Sequence, residues 1–306
     1  MQLQQLRYVV AVAEERHFTR AAARLHVAQP SVSSAVRDLE RELGAPLFHR
    51  ERGSVALTSA GEVFLPWARQ ALADLERSRV EVRELLGLRR GRLALGATPS
   101  LTTRLLPSVL GRFQARWPGI ELAVREAGSA DLVAGVAAGT LDLALVILPV
   151  TTAALAVTPL AVEELVLAVG PGHALAGRGA VTLDDLRDLP LVVPRAGYEL
   201  RTATAAACRS VGFDPLIALE AGEMDGVIAM TAAGLGAAVL PSSVVAEPLR
   251  ALRFAGSSLR RTIGLTARAD RPRSRAAVAF ADHLAGLLRS EGWPGGPSEG
   301  LSVLGA

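Results

Sequence analysis

The 306-residue chain contains no lysine, no asparagine and a single cysteine. All 33 basic side chains are therefore arginines. Without lysine there is no Schiff base for pyridoxal-phosphate chemistry and no lysine for a phosphate-binding loop. Cys208 stands alone, so no disulfide can close within the chain and no cysteine-rich zinc site can form. Its neighbours Ala205, Ala206 and Ala207 suit a small buried hydrophobe. Of the five histidines, His173 and His283 lack a partner four residues away, so neither begins a helical metal site. No charge-free apolar stretch approaches a membrane span, and MQLQQLRYVV is not a basic-then-apolar secretion signal. A cytoplasmic protein with no cofactor and no metal is expected.

The charge that is present is placed unevenly. Residues 1–60 carry eight Arg against six acids, residues 61–90 six against five, and residues 91–306 nineteen of each. The net +3 thus lies in the N-terminal third, a modest bias of the sign that polyanions attract. In that third, RHFTRAAARLHVAQPSVSSAVRDLERELGAPLFHR over 16–50 predicts two short helices joined tightly. Thr19 is placed to cap the first, with Ala22, Ala23 and Leu25 inward. Gln29-Pro30 opens the second, since a proline in the first helical turn gives up an N–H that has no helical partner. Val32, Val36, Leu39 and Leu43 recur at spacings of four, three and four, a buried stripe. Ser33, Ser34, Arg37 and Arg41 are expected on the opposite side. An amphipathic helix pair with a solvated face would look similar. DNA contact is favoured by a helix start that attracts phosphate, by small serines and by a glutamine able to pair with adenine. The stretch after Gly44 then reads as two short strands around Arg52-Gly53-Ser54, a wing bearing Arg50 and Arg52.

Leu3, Leu6, Phe18, Ala21-Ala22, Leu25, Gln29-Pro30, Ser33, Leu39-Glu40, Gly44, Leu47-Phe48, Arg50, Leu57-Thr58 and Gly61 form one dense, correctly spaced set. In it the segment resembles the winged helix-turn-helix of LysR-type transcriptional regulators. The resemblance implies DNA contact through Gln29, Pro30, Ser31, Ser33, Ser34 and Arg37 on the second helix and through Arg50 and Arg52 on the wing. Ser34 departs from the larger polar or basic residue often found there, which leaves one base contact in doubt.

Thr58 or Ser59 can cap a long helix to about Leu88, with Phe64, Ala68, Ala71, Leu75, Ser78, Val82 and Leu85 alternating at four and three as a heptad seam. Pro66 should bend it. The helix could pack on its own domain. A dimer-forming linker is the better account, because two recognition helices need a fixed separation. Dimers through this helix, often paired into tetramers, are what the resemblance implies.

From Leu93 onward apolar strands alternate with helices expected at 102–116, 130–138 and 274–289. Residues 117–139 and 213–234 echo one another: an aromatic, a proline, a strand, then Gly, Asp and a helix closing at Ala-Ala-Gly. Two subdomains on one plan follow, resembling the periplasmic-binding-protein-like effector domain of the same family. The fold class expected is therefore α/β: an all-α winged helix-turn-helix over 1–60, a linker helix and hinge over 61–90, and a two-lobed α/β effector domain over 91–290. Lobe 1 would take about 91–160 and 268–290, lobe 2 about 161–267, and 291–306 would be a disordered tail.

A cleft between two such lobes gathers strand ends and helix starts, where α/β sheets bind ligands. Thr98, Ser100, Leu101 and Thr102 at the end of the first strand are candidate effector contacts, and Ser129 holds the equivalent place after the second. Simple helix capping would account for one hydroxyl there. In the second lobe Arg195 and Tyr198 follow a strand; Arg195 could hold a carboxylate or be a surface charge. Leu148 and Met224 would supply apolar walls. The effector that the resemblance implies is a small metabolite, often a carboxylate. Promoter DNA, a second copy of the chain and RNA polymerase complete the expected partners. The rival class is an α/β enzyme fused to a DNA-binding domain. GPSEG at 296–300 matches the nucleophile pattern G-x-S-x-G, but no strand precedes it and no helix follows. A purely architectural DNA-binding protein would not need some two hundred residues on a two-lobe plan.

Overall fold

Apolar side chains at three- and four-residue spacing build the first core. Helices α1 (Leu3–Glu15), α2 (Phe18–Arg24) and α3 (Gln29–Leu43) enclose Val9, Val12, Ala21, Ala22, Val32, Val36 and Leu39. The computed structural model describes residues 1–51, 54–85, 91–150, 154–256, 259–293 and 300–304, without the side chains of 50, 51, 54, 76, 77 and 79–85. The chain divides into two units, Met1–Leu88 with Ala138–Thr140, and Arg89–Ala137 with Leu141–Ala306.

In the first unit α2 begins one residue before the expected cap. The His17 ring, not Thr19, caps it, with Nδ1 accepting from the Thr19 N–H at 3.1 Å. Ala21 and Ala22 face inward while Ala23 is exposed, because the first two stand three and four residues after Phe18, on the face that packs on the core. Helix α3 ends at Gly44, whose φ of 71° closes it in the left-handed conformation. This turn leaves Leu43 42 % exposed, outside the stripe expected to bury it. Strands β1 (Phe48–Glu51) and β2 (Ser54–Leu57) pair antiparallel as the wing. The Glu40 carboxylate accepts from the Leu47 and Phe48 N–H groups at 2.9 and 3.3 Å, which ties the wing to α3.

Thr58 caps α4 (Ser59–Leu85), its Oγ1 accepting from the Gly61 N–H at 3.0 Å. The helix runs on through Pro66 and packs against α1, with Leu65 and Ala68 inward. The expected seam is therefore split. Ala68 belongs to the unit's own core side, whereas Val63 (69 %), Trp67 (71 %) and Ala71 form an open strip at i, i+4, i+8. Val82 and Leu85 lie outside the described side chains.

The second unit begins with β3 (Gly91–Ala97), then α5 (Pro99–Arg104) and α6 (Leu106–Arg116). The single helix expected over 102–116 is broken at Leu105, because Pro107 has no N–H to continue the ladder. Next come β4 (Ile120–Glu126), α7 (Ser129–Ala137), β5 (Leu143–Leu148), the long β6 (Leu155–Val169) and β7 (Ala180–Val181). After them run β8 (Leu191–Pro194), α8 (Glu199–Ser210), β9 (Ile217–Ala221), α9 (Met224–Ala232), β10 (Ala238–Pro241), β11 (Arg250–Phe254), β12 (Arg260–Arg268), α10 (Arg275–Glu291) and β13 (Leu301–Val303). The internal echo appears as two strand–helix pairs, β4–α7 and β9–α9, with β4 parallel to β3 and β9 parallel to β8.

One sheet of order β4-β3-β5-β12-β6-β11-β7 carries both lobes, and β10 and β13 also pair with β6. Lobe 1 encloses Leu93, Leu95, Phe113, Leu143, Ile263, Leu265 and Phe280; lobe 2 encloses Leu167, Val192, Leu200, Val227, Leu240 and Leu252. Strands β6 and β12 cross between them. The return to lobe 1 occurs by Ile263 rather than at 268, since β12 pairs with β5 from Thr262 onward. The expected disordered tail is also corrected: Leu301–Val303 pair with Ala161–Glu163 of β6, because β6 offers a free edge there.

Gly61 tests how tightly the first unit is assembled. A Cβ there would clash with the Leu47 carbonyl oxygen. Gly61→Ala should lower the stability of this unit by about 1–3 kcal/mol, the usual cost of overpacking against fixed backbone. A truncated chain of residues 1–85 or the full protein, melted by circular dichroism, would show the shift in Tm.

Candidate functional site

Two surfaces carry the expected chemistry, one in each unit. On α3, Pro30, Ser31, Ser34, Arg37, Asp38 and Arg41 are exposed, and Gln29 is half-buried at the helix start. No side chain caps that start, because Ala28 occupies the capping position. Ser33 departs from the expected outward face and is only 7 % exposed. The Arg37 side chain folds back over it, donating from Nε to the Ser33 carbonyl at 3.1 Å and from Nη2 to its Oγ at 3.3 Å. Ser33 therefore orients Arg37 and offers no free hydroxyl. The presented set is Pro30, Ser31, Ser34 and Arg37 with Gln29 at its edge. Arg52 and the Arg50 side chain lie outside the described residues.

In the second unit a cavity of about 50 Å³ lies between the lobes, lined by Thr98, Pro99, Ser100, Ile147, Leu165, Pro194, Tyr198, Glu199, Leu200, Ala203, Met224 and Arg261. At about 10–15 Å³ of such space per water it has room for a few waters. Four expected contacts, Thr98, Ser100, Tyr198 and Met224, are brought together in its wall. The Thr98 Oγ1 is buried there without a hydrogen-bond partner. Leu101 turns instead into the lobe 1 core, since it lies one residue further round α5. Thr102 directs its hydroxyl back to the Thr98 carbonyl at 3.2 Å. Leu148 packs with Val146 and Leu132 on the other side of the sheet, so it is not a wall of the cavity. Arg195 is exposed and already engaged: Nη2 donates to the Tyr198 hydroxyl at 3.0 Å and lies 3.4 Å from Glu223.

The lobes meet closely. The Glu199 carboxylate from lobe 2 accepts from the Ser129 N–H at the start of α7, at 2.6 Å. The Ser129 hydroxyl is spent within lobe 1, accepting from the Ile147 N–H at 3.0 Å. Beside this contact a Cβ on Gly128 would come within 2.6 Å of the Gly197 carbonyl oxygen. At the rim, burial pushes the Glu126 carboxyl above the usual carboxylate range, and the charges of Glu223 and Asp225 push the same way. Burial likewise raises the Tyr198 phenol.

Sequence reasoning missed the charged pair behind this cavity. Arg261 of β12 faces Glu163 of β6 across the crossing, with Nε at 2.8 Å and Nη2 at 2.7 Å from Glu163 Oε2. The same Nη2 donates to Ser100 Oγ at 2.9 Å, and Glu163 Oε1 accepts from the Ser243 N–H at 3.0 Å. Glu163 is 0 % exposed. Its signal in the sequence was an acid inside the apolar run LAVTPLAVEELVLAV, which demands a buried partner. Arg261→Ala should cost about 3–5 kcal/mol by leaving that carboxylate buried and unpaired. Urea unfolding of the full chain would read this loss. Glu163→Gln with Arg261 retained should cost less.

Comparison with known proteins identifies the two domains that carry these surfaces. Residues 3–62 match the family described as "Bacterial regulatory helix-turn-helix protein, lysR family", and residues 86–289 match "LysR substrate binding domain". The chain is 33 % identical over 245 residues to the HTH-type transcriptional regulator AlsR of Bacillus subtilis, covering 79 % of this chain and 81 % of that protein. It is also 33 % identical to a "Probable hydrogen peroxide-inducible genes activator" of Mycobacterium leprae, covering 94 % of each. Among solved structures, a full-length OxyR variant from Pseudomonas aeruginosa is similar with TM-score 0.69, 29 % identity and coverage of 93 % and 94 %. Full-length CbnR bound to its target DNA is similar with TM-score 0.68, 27 % identity and coverage of 93 % and 99 %. With both domain families matched across most of its length, the chain belongs to the LysR family: it is a transcriptional regulator with an effector-binding domain, and not an enzyme.

Proposed function

We propose that this regulator binds promoter DNA as a dimer or tetramer, inside the cell, and that a small carboxylate metabolite entering the interlobe cleft sets its activity. The carrying observation is the Glu199 carboxylate resting on the Ser129 N–H at 2.6 Å. A helix start is a seat for an anion, and this one is held by the protein's own carboxylate in a cleft closed down to about 50 Å³. An effector carboxylate exchanges with Glu199, opens the space, and meets the spare Thr98 hydroxyl and Ser100 beside it. Arg195 and Tyr198 stand at the rim.

Peroxide is a poorer candidate signal, despite the name of the mycobacterial relative. Cys208 is fully buried and its thiol is pushed up by that burial, away from the reactive thiolate. On the DNA side, Gln29 reads a base, while Arg37 and the wing arginines Arg50 and Arg52 hold the backbone. The open strip of Val63, Trp67 and Ala71 supports pairing through α4. RNA polymerase is the partner recruited or blocked at the promoter.

Two experiments test this reading. In fluorescence anisotropy, Gln29→Ala should narrow the gap between specific and random DNA by about 1–3 kcal/mol. Arg52→Ala should weaken both and reduce the salt slope by about one. Equal losses on both DNAs for Gln29→Ala would contradict base reading. For the cleft, footprints on the DNA upstream of its own gene are compared across a panel of small carboxylates. Glu199→Gln keeps the hydrogen bond but drops the charge, so half-saturation should fall about tenfold, the worth of one charge-assisted bond. An unchanged response in that variant would remove the exchange.

A further inference from the structure

We infer a second ligand site on the outer side of lobe 1, in the groove between the end of α6 and the exposed face of α10, and assign it to a nucleotide. The groove encloses about 660 Å³, within the range of small-molecule sites. None of its lining residues belongs to the interlobe cavity.

Its floor is a stripe of small side chains on α10, Ala279, Gly286 and Ser290. A Cβ added at Gly286 would meet nothing within 4 Å, so the glycine leaves the groove open. One wall is Trp117, with the Arg116 guanidinium over its ring at 4.7 Å. A planar base laid on the outer face of that guanidinium extends the stack. Arg273 and Arg275 flank the start of α10 at one end of the groove. Among the described residues neither they nor Arg116 forms an ion pair with a carboxylate, and Asp282 is the only acid in the lining. Three guanidinium groups against one carboxylate select an anion, and phosphate matches the forked donors of Arg273 and Arg275.

His283 closes the wall behind the stack. Its ring stands edge-on to Trp117 at 5.7 Å. Burial, and then the Arg116 and Arg112 charges, hold its pKa below the usual histidine range, so the ring adds no charge to the groove. Base and phosphate thus each have a counterpart in one groove.

Isothermal titration of the full chain with AMP, adenosine and inorganic phosphate tests the assignment. AMP should bind with a sub-millimolar Kd, and adenosine and phosphate each about tenfold or more weaker. Gly286→Leu fills the floor at a helical position that prefers leucine to glycine, so the fold is kept; AMP binding should be lost with Tm unchanged or raised. Arg275→Ala should weaken AMP about tenfold, and Glu199→Gln should leave it unchanged. No AMP binding at millimolar concentration, full binding by both groove variants, or binding that follows Glu199 instead would each overturn the groove site without touching the carboxylate reading of the cleft.

Discussion

The buried charge at the crossing of β6 and β12 constrains the rest of the effector domain. Glu163 has no route to water, so both its oxygens must be satisfied by protein. One takes the Arg261 guanidinium and the other the Ser243 N–H, from the short helical turn after β10. Arg261 then reaches Ser100 at the start of α5. A single carboxylate thereby ties lobe 2 to the first helix of lobe 1, directly behind the interlobe cavity. Buried ion pairs add little net stability compared with apolar packing, but breaking one is expensive. Lobe movement that preserves this knot is inexpensive by comparison, so Glu199 and the glycines Gly128 and Gly197 are where the cleft can separate.

A similar economy governs the recognition helix. Arg37 is exposed yet anchored by two bonds to Ser33, which fixes the guanidinium's direction. A side chain so restrained loses less freedom on binding than a free arginine. The Glu40 carboxylate joins α3 to the start of the wing by two backbone N–H groups, at Leu47 and Phe48.

What could be read from the residues alone follows the reach of each interaction. Period and punctuation are local, and they located the recognition helix at Gln29-Pro30, the Thr58 cap, the α4 helix and the repeated strand–helix pairs. Side-chain facing failed where the spacing of apolar residues does not show the deciding contact. Ser33 was expected outward because it lies off the apolar stripe, and that spacing does not show Arg37, one turn on, folding over it. The α4 seam was expected at Ala68 because nothing in the heptad spacing tells a core side from an open one. Leu148 and Leu101 were apolar and near strand ends, but the pleat and the helix turn directed them elsewhere. The pairing of Glu163 with Arg261 spans 98 residues, beyond any local pattern, though two acids inside an apolar strand, one on each face, are a flag. The strand at 301–303 was invisible because its identity depends wholly on the open edge of β6.

The place of β12 in the sheet also sets an order of events during synthesis. It sits between β5 and β6, so two strands that leave the ribosome in succession cannot complete their pairing until residues 260–268 have been made. Lobe 2 closes on the contiguous stretch 165–254 and waits for nothing upstream. Lobe 1 begins first and finishes last, with its apolar strands β3 and β5 uncovered in the interval. The helical DNA-binding unit, built from short-range contacts, is complete long before either. A nascent chain of this kind therefore has its DNA-binding unit assembled while its sensor is still half-built.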